Sequence, residues 1–329
     1  MKFKTKILSF ILPLTLGVTS CFGMNVQTVQ AKETSETDEN YYSFNPHVCS
    51  TDFYNAYGEE YWTSFFNLCD ALRNGEDTFE CASREVYIWC MVGGPLDSLF
   101  PAARYRLEYL GADAGYCNGV GKIAYAIPQK EFVEREDVFE TIVESIIRDN
   151  IREDDTDFEK CAALYKYIAD NYIYDKEEEA ANKAGKINDF DNGIYRTLME
   201  KKGICKDLSG LYTYLLLQCG VDACNFRDEN LEHCWSYVKV DGIGYHVDPT
   251  WFYTLDYFMT PDSIRKQHLE NSGLSGSFAP VYFYDDEPLE KADFTADDDR
   301  YAELRKGMNI LEIDRERKVM ILVTSGQDS

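Results

Sequence analysis

The sequence predicts an α+β fold, because a helical pattern and an antiparallel β pattern follow one another along the chain. Residues 205–219 carry apolar side chains at helical spacing, and Gly220 directly after them is a typical helix stop. Residues 233–240 and 243–248 are two β-type runs joined by Asp241-Gly242, a dipeptide that favours two-residue hairpins. We therefore expect one long buried helix and a β-hairpin shortly after it.

The first 31 residues have the composition of a signal peptide. Lysines precede an apolar run at residues 7–18, which is too short for a permanent membrane span. Residues 29–31 fit a signal-peptidase site, whereas residues 18–21 resemble a lipobox that would leave Cys21 lipidated. Both alternatives predict an exported protein, either secreted or attached to the outer cell surface. Contact with a membrane is expected only through a lipid anchor at Cys21.

The composition is that of a globular protein, and the net charge disfavours binding to polyanions. The 329 residues are 45% hydrophobic and 14% aromatic, enough for a sizeable core, and the formal net charge is −25. A charge this negative repels nucleic acid and anionic lipid surfaces. The 11 cysteines include no CxxC pair and no repeated spacing, so they indicate neither a zinc site nor a disulfide framework. No metal or organic cofactor is indicated.

Several elements are predicted before the buried helix. Apolar residues at helical spacing indicate helices at residues 54–73 and 138–151, and a strand is expected at 123–127. Thr156-Asp157-Phe158-Glu159 is a capping box, which marks the start of another helix. Residues 175–187 are charged and small, so a surface loop is expected there.

Cys205 is predicted to lie at the first turn of the buried helix. Free backbone amides and the positive end of the helix dipole stabilise a thiolate at that position and lower the pKa of a cysteine. The same amides can bind a developing oxyanion. Cys161 and Cys219 lie inside helical patterns, lack both advantages and are expected to be buried thiols. Cys205 is therefore the candidate nucleophile.

The hairpin brings together a candidate base and a candidate carboxylate. With a two-residue loop, Val238 faces Tyr245, and His233 falls diagonally opposite Asp248 on one face. Diagonal neighbours are about 7–8 Å apart at the backbone, within reach of an Asp–His hydrogen bond. The chain has only four histidines, so few bases are available for a thiol mechanism. Cys205, His233 and Asp248 are therefore predicted to form a catalytic triad.

Three motifs resemble the core of the transglutaminase-like superfamily. They are Gly203-Ile204-Cys205, His233-Cys234-Trp235 and Tyr245-His246-Val247-Asp248-Pro249-Thr250-Trp251. The resemblance covers roughly residues 156–268 and implies a papain-like α+β fold, with the Cys-bearing helix packed on an antiparallel sheet. One departure is Cys234, a position where alanine is more usual.

The chain divides accordingly into four parts. Residues 1–31 are the predicted signal peptide, and residues 32–135 are a mixed, largely helical N-terminal region. Residues 136–300 are the predicted transglutaminase-like catalytic domain, and residues 301–329 are a C-terminal extension.

Three more residues share the hairpin face with His233 and Asp248. Trp235 is expected to wall the site, whereas His246 and Tyr237 are expected to lie behind the triad. His246 is the competing base, because its side chain points to the same face. His268 follows the motifs and is expected to be structural.

The resemblance implies acyl transfer through a thioester on Cys205, with an extracellular protein or peptide as substrate and cell-wall peptides among the candidates. Water as the acceptor gives a protease, amidase or deamidase, and an amine gives a cross-linking transglutaminase. The sequence leaves both open, with hydrolysis slightly favoured. A further alternative is a catalytically silent cell-surface binding module with the same fold.

Overall fold

The computed structural model describes residues 4–5, 41–92, 94–186, 192–281 and 292–324. Apart from residues 4–5, the predicted signal peptide lies outside the described residues, as does Cys21. The helices are α1 (Thr51–Tyr57), α2 (Glu59–Asn74), α3 (Arg84–Val92), α4 (Gly94–Leu99), α5 (Ala112–Gly115), α6 (Gln129–Asn150), α7 (Asp157–Asn171), α8 (Lys176–Lys183), α9 (Ile194–Glu200), α10 (Cys205–Gln218) and α11 (Asp262–Asn271). The strands are β1 (Lys4–Thr5), β2 (Thr78–Glu80), β3 (Tyr116–Cys117), β4 (Val120–Lys122), β5 (Ile173–Tyr174), β6 (Lys202–Gly203), β7 (Ala223–Asp228), β8 (Cys234–Val240), β9 (Ile243–Val247), β10 (Phe278–Pro280), β11 (Asn309–Asp314) and β12 (Val319–Thr324).

The fold is α+β, with helices packed on an antiparallel sheet of four strands. The strand order is β10-β7-β8-β9, and each neighbouring pair is antiparallel. Helix α10 lies across this sheet, where Ser236 Oγ donates to the Ser209 carbonyl at 3.1 Å. Residues 207–218 of α10 are all buried, because the sheet covers one side of the helix and α7 and α9 cover others.

The β8–β9 hairpin has the predicted register. Val238 pairs with Tyr245, and Ser236 pairs with Val247. Asp241 and Gly242 form the loop with φ of +52° and +75°, the two left-handed conformations that a type I′ turn requires. This register places His233 and Asp248 together at the open end of the hairpin.

The described region before α6 is largely helical, as predicted, with α1–α5 beside the sheet β2-β4-β3. The single helix expected at residues 54–73 is instead α1 and α2, because Gly58 interrupts the helix with a φ of +85°. Helix α2 buries Trp62, whose ring meets that of Trp89 edge-on at 5.3 Å. Aromatic packing of this kind joins α2 to α3 within the core.

Two predicted bounds near α6 are corrected. The helix expected at 138–151 begins at Gln129, because the apolar stripe continues back to the fully buried Phe132. The expectation of a strand at 123–127 is wrong. The strand in this part of the chain is β4, which directly follows the left-handed turn at Asn118 and Gly119 and pairs with β2 and β3.

The expectation of a surface loop at residues 175–187 is also wrong, because α8 occupies most of this range. The Asp175 side chain caps this helix by accepting from the amides of Glu177 and Glu178. The Glu178 carboxylate accepts a hydrogen bond from Arg196 Nη1 at 2.7 Å. A charged segment therefore folds as a helix because its charges are capped and paired.

Helix α7 starts at the predicted capping box, and the hairpin of β11 and β12 packs beside it. Glu159 N donates to Thr156 Oγ1 at 3.3 Å, and Thr156 N donates to Glu159 Oε2 at 2.9 Å. Strands β11 and β12 pack beside this helix, where Arg315 binds Asp155 through two nitrogens and Lys318 binds Glu159. The backbone of β1 pairs with β12.

One apolar cluster runs from Val48 to Leu322. It joins the described parts of the predicted N-terminal region, the predicted catalytic domain and the predicted C-terminal extension in a continuous core. The predicted domain boundaries remain predictions. Among the residues that the structure describes, none of the helices combines the length and apolarity that a membrane span requires.

Candidate active site

Cys205 is the first residue of α10, and its side chain is partly exposed. Ile204 before it is extended, so the chain passes directly from β6 into the helix. Strand β6 runs parallel to β5, with Gly203 opposite Tyr174. A Cβ at position 203 would lie 2.6 Å from Thr197 Oγ1, so only glycine allows this close approach. The result is a thiol held at the free amide end of a buried helix.

His233 and Asp248 form the hydrogen bond that the hairpin register predicts. Nε2 of His233 lies 2.6 Å from Oδ2 of Asp248. Because that carboxylate is ionised, Nε2 carries the hydrogen and donates it. The other ring nitrogen is then left for Cys205, which lines the same cavity as His233 and helps to raise the pKa of that imidazole. The structure thus brings the three residues together in the order Cys205, His233, Asp248.

The charges of this group stabilise one another. Burial opposes the imidazolium, but Asp248 and Cys205 outweigh burial and raise the pKa of His233 to about 9. Burial likewise opposes the Asp248 carboxylate, yet His233 and Arg265 hold the pKa of that carboxyl well below its usual range. An imidazolium beside a cysteine favours the thiolate, which is the nucleophilic form.

Arg265 in α11 is a member of the site that no sequence pattern indicates. Its Nη1 donates to Oδ2 of Asp248 at 2.9 Å, and its guanidinium carbon lies 3.8 Å from the ring centroid of Trp235. The backbone amide of Thr250 donates to the other oxygen, Oδ1, at 3.1 Å. The Asp248 carboxylate therefore accepts hydrogen bonds from an imidazole, a guanidinium and a backbone amide.

Asp228 organises the loop before His233 and is also missed by the sequence patterns. Its fully buried carboxylate accepts from the backbone amides of Asn230 at 2.9 Å, Glu232 at 2.8 Å and His233 at 2.7 Å. Leu231 is left in the left-handed region with φ +61°. An aspartate followed by a short polar loop is the feature that could have indicated this role.

Asp228→Ala is expected to lower the free energy of unfolding by about 2–4 kcal/mol, because hydrogen bonds to a charged acceptor contribute roughly 1.5–3 kcal/mol each and do not add fully. Urea denaturation measures the loss. Asp228→Asn keeps one acceptor oxygen and is the matched control, so it should lose less. Equal losses in the two variants would show that the carboxylate does not hold the loop.

His246, the competing base, has both ring nitrogens occupied. Trp235 Nε1 donates to Nδ1 at 2.9 Å, so Nε2 carries the hydrogen and donates it to Asp262 Oδ1 at 2.8 Å. The side chain is only 1% exposed, and burial lowers the pKa of His246, which favours the neutral ring. Neither nitrogen is free to take a proton from a thiol.

Trp235 and Tyr237 both lie behind the reacting groups. The expectation that Trp235 walls the site is wrong, because its side chain is fully buried and stacks on the far side of His233, with ring centroids 6.0 Å apart. Trp235 instead supports His233 and Arg265. Tyr237 pairs with His246 across the hairpin and donates its hydroxyl to the Thr295 carbonyl, so it packs beneath His246.

An open cavity of about 500 Å³ lies at Cys205 and His233. The chain segment after β9 forms an aromatic wall of this cavity. The rings of Trp251 and Tyr257 stack there with centroids 5.2 Å apart, and Tyr253 meets Trp251 edge-on. This wall offers an apolar surface beside the thiol, in the manner of a binding site for organic side chains.

Other residues of the cavity add polarity. Glu179 and Glu232 contribute carboxylates and Lys176 an ammonium group. His268, which was expected to be structural, also lines the cavity, and its ring lies 4.2 Å from that of Tyr257. The cavity therefore presents an aromatic wall together with charged groups.

The described cysteines are all free thiols. Burial keeps the pKa of Cys69, Cys90, Cys161 and Cys224 well above its usual value, so these thiols stay protonated. Within the described ranges, no group of three or more His, Cys, Asp and Glu side chains is arranged to hold a metal ion.

Comparison with known proteins finds a family model that matches the central part of the chain. Residues 144–249 match the family described as "Transglutaminase-like superfamily", and this span includes all three triad residues. No curated protein was found to match the chain. A solved structure from Cytophaga hutchinsonii, described as a "Putative Cysteine Protease", is 16% identical with a TM-score of 0.26. The match covers 37% of this chain and 38% of that one, so the chain spans well under half the length of that protein.

Proposed function

We propose that this protein is a thiol enzyme that cleaves or transfers amide-linked acyl groups of proteins or peptides through an acyl intermediate on Cys205. The observation that carries the proposal is the arrangement of Cys205 and His233 along one open cavity, with His233 hydrogen-bonded to the buried Asp248. The transglutaminase-like region at residues 144–249 supports it, since such domains typically use Cys, His and Asp.

In the proposed reaction the Cys205 thiolate attacks the carbonyl carbon, and a C–S bond forms as the carbonyl oxygen becomes an oxyanion. The oxyanion collapses, the C–N bond breaks, and the His233 imidazolium gives its proton to the leaving amine. In the second half, His233 takes a proton from water, which attacks the thioester and releases the acid and the thiol. Asp248 keeps the imidazole in the required tautomer throughout.

Water is the favoured acceptor because the cavity is open. A thioester is hydrolysed wherever water reaches it, and an amine competes only where water is excluded. The aromatic wall of Trp251, Tyr253 and Tyr257 suits an apolar side chain next to the reacting carbonyl. On the N-terminal sequence pattern, we place the enzyme outside the cytoplasm, with cell-wall peptides among its candidate substrates.

Selective alkylation of the wild-type protein tests the proposal without a known substrate. Iodoacetamide should modify Cys205 before any other cysteine at neutral pH, because among the cysteines that the structure describes this thiol is the one beside an imidazolium. Mass spectrometry after partial labelling measures the order of modification. Cys117, an exposed cysteine in β3, is the internal reference. If Cys117 is labelled as fast as Cys205, the thiol is not activated and a silent binding module becomes the better account.

A further inference from the structure

Arg265 is a charged group removed almost completely from solvent, with 1% of its surface exposed. A buried guanidinium is costly unless a counter-charge and hydrogen bonds compensate it. Nη1 finds that counter-charge in Oδ2 of Asp248, the oxygen that also accepts from His233. The flat face of the guanidinium rests on Trp235. Arg265 is thus held in one place beside the triad carboxylate.

The position of Arg265 balances the buried charge of the site. With its cation present, the Asp248 carboxylate is neutralised whether the Cys205–His233 pair is neutral or an ion pair. Without that cation, the His233 imidazolium would be the counter-charge left to Asp248, and the thiolate would form in a site with one more net negative charge. Like charges raise the pKa of a thiol, so the cation of Arg265 favours the thiolate.

Titratable groups surround Arg265, Asp248, His233 and Cys205 from the neighbouring elements. They are Tyr165 of α7, Tyr174 of β5, Lys176 and Glu179 of α8, Lys206 and Asp207 of α10, Glu232 and Cys234 beside His233, His246 of β9, Tyr253 and Tyr257 after β9, and Asp262 and His268 of α11. Lys176 is exposed and Lys206 partly exposed, so water screens their charges. Of the arginine and lysine side chains named here, Arg265 is the buried one.

We propose that Arg265 is a positioning residue that holds Asp248 as a carboxylate and favours the thiolate of Cys205, and so sets the lower pH limit of the nucleophile. This proposal rests on the proposed function only for the identity of the nucleophile. Its chemistry is an acid–base equilibrium, which can be followed without turnover.

The test is the rate of alkylation of Cys205 by iodoacetamide as a function of pH. Arg265→Gln keeps a donor for Asp248 but removes the cation, so thiolate formation should move to higher pH by about half a unit or more. At pH 6 the rate should fall by about threefold or more, as that displacement requires. Arg265→Lys keeps a cation but loses the planar group that stacks on Trp235, so it should be displaced less than Arg265→Gln.

Arg315→Gln is the matched control. It removes another arginine that pairs with a buried aspartate, Asp155, far along the chain from the site. This variant should lose stability and keep the wild-type pH profile. A structural role for Arg265 would give the same result as this control.

An Arg265→Gln profile that coincides with the wild type, with only the melting temperature lowered, would overturn the proposal. If circular dichroism shows that Arg265→Gln does not fold, Arg265→Met decides, because it removes the cation and keeps an apolar contact with Trp235. A profile displaced by half a unit in the methionine variant supports control by charge, and a profile that coincides with the wild type contradicts it. Unselective labelling of the wild-type Cys205 would refute the proposed function itself, whereas selective labelling with an unmoved profile refutes only the role of Arg265.

Discussion

Cys205→Ala should remove catalysed acyl transfer, with a loss on the order of 10³–10⁶-fold, because without a nucleophile only binding and oxyanion stabilisation remain. p-Nitrophenyl acetate, an activated ester, needs no specific recognition and should acetylate Cys205 in the wild type. The released p-nitrophenol and the added acetyl mass measure the reaction. Cys205 is partly exposed and its thiol makes few core contacts, so the melting temperature should change little.

His233→Ala should also be inactive, because the thiol loses its base. Cys117→Ala is the matched control, since it removes an exposed thiol from β3 and leaves the triad unchanged. It should acetylate at the wild-type rate. Acetylation that persists in Cys205→Ala and disappears in Cys117→Ala would show that the nucleophile is Cys117 of β3 and not Cys205.

Asp248→Asn should be the most destabilising of the triad substitutions. The carboxylate is fully buried and is bound by both His233 and Arg265, so its loss leaves a buried guanidinium without a counter-charge. Breaking a buried ion pair by removing one partner costs about 3–5 kcal/mol. Urea denaturation should show a loss of this size in Asp248→Asn and a much smaller loss in Cys205→Ala.

The double variant Asp248→Asn with Arg265→Gln is the control for this explanation. It removes both charges, so part of the stability lost in Asp248→Asn should return. If the double variant is no more stable than Asp248→Asn alone, the uncompensated guanidinium is not the cause.

The dependence of stability on pH gives a second measure of the same interaction. The folded pKa of His233 is raised to about 9, so its contribution is complete below the unfolded value of about 6.5 and is lost as pH rises through 9. The folded pKa of Asp248 is lowered, so its contribution is present above the unfolded value of about 3.9 and is lost as pH falls through the folded pKa. In Asp248→Asn the alkaline loss of stability should largely disappear.

The sequence predicts the local geometry of the site well, because strong short-range rules govern it. Asp241-Gly242 specifies a two-residue turn, that turn specifies the register, and the register places His233 near Asp248. The capping box at Thr156 is equally local. Cys205 follows in the same way from the apolar pattern of α10.

The parts that could not be predicted depend on contacts between distant segments. Arg265 belongs to a helix whose place over Trp235 is set by the whole domain, and no pattern near residue 265 records it. The helix at Lys176–Lys183 is missed because a charged segment resembles a loop until Arg196 is known to pair with Glu178. The prediction for Trp235 is wrong because the register determines on which face of the sheet a side chain lies, but not on which side of His233 that side chain packs.

The buried free thiols have different consequences in the native protein and in the unfolded chain. In the native protein, burial keeps Cys69, Cys90, Cys161 and Cys224 protonated, and a protonated thiol neither attacks disulfides nor reacts readily with oxidants. Unfolding returns these cysteines to an ordinary pKa of about 8.5, where they can cross-link in many wrong combinations. In an oxidising medium, each global opening therefore becomes a one-way event. The working lifetime of the protein there is set by how fast it unfolds and not by its equilibrium free energy.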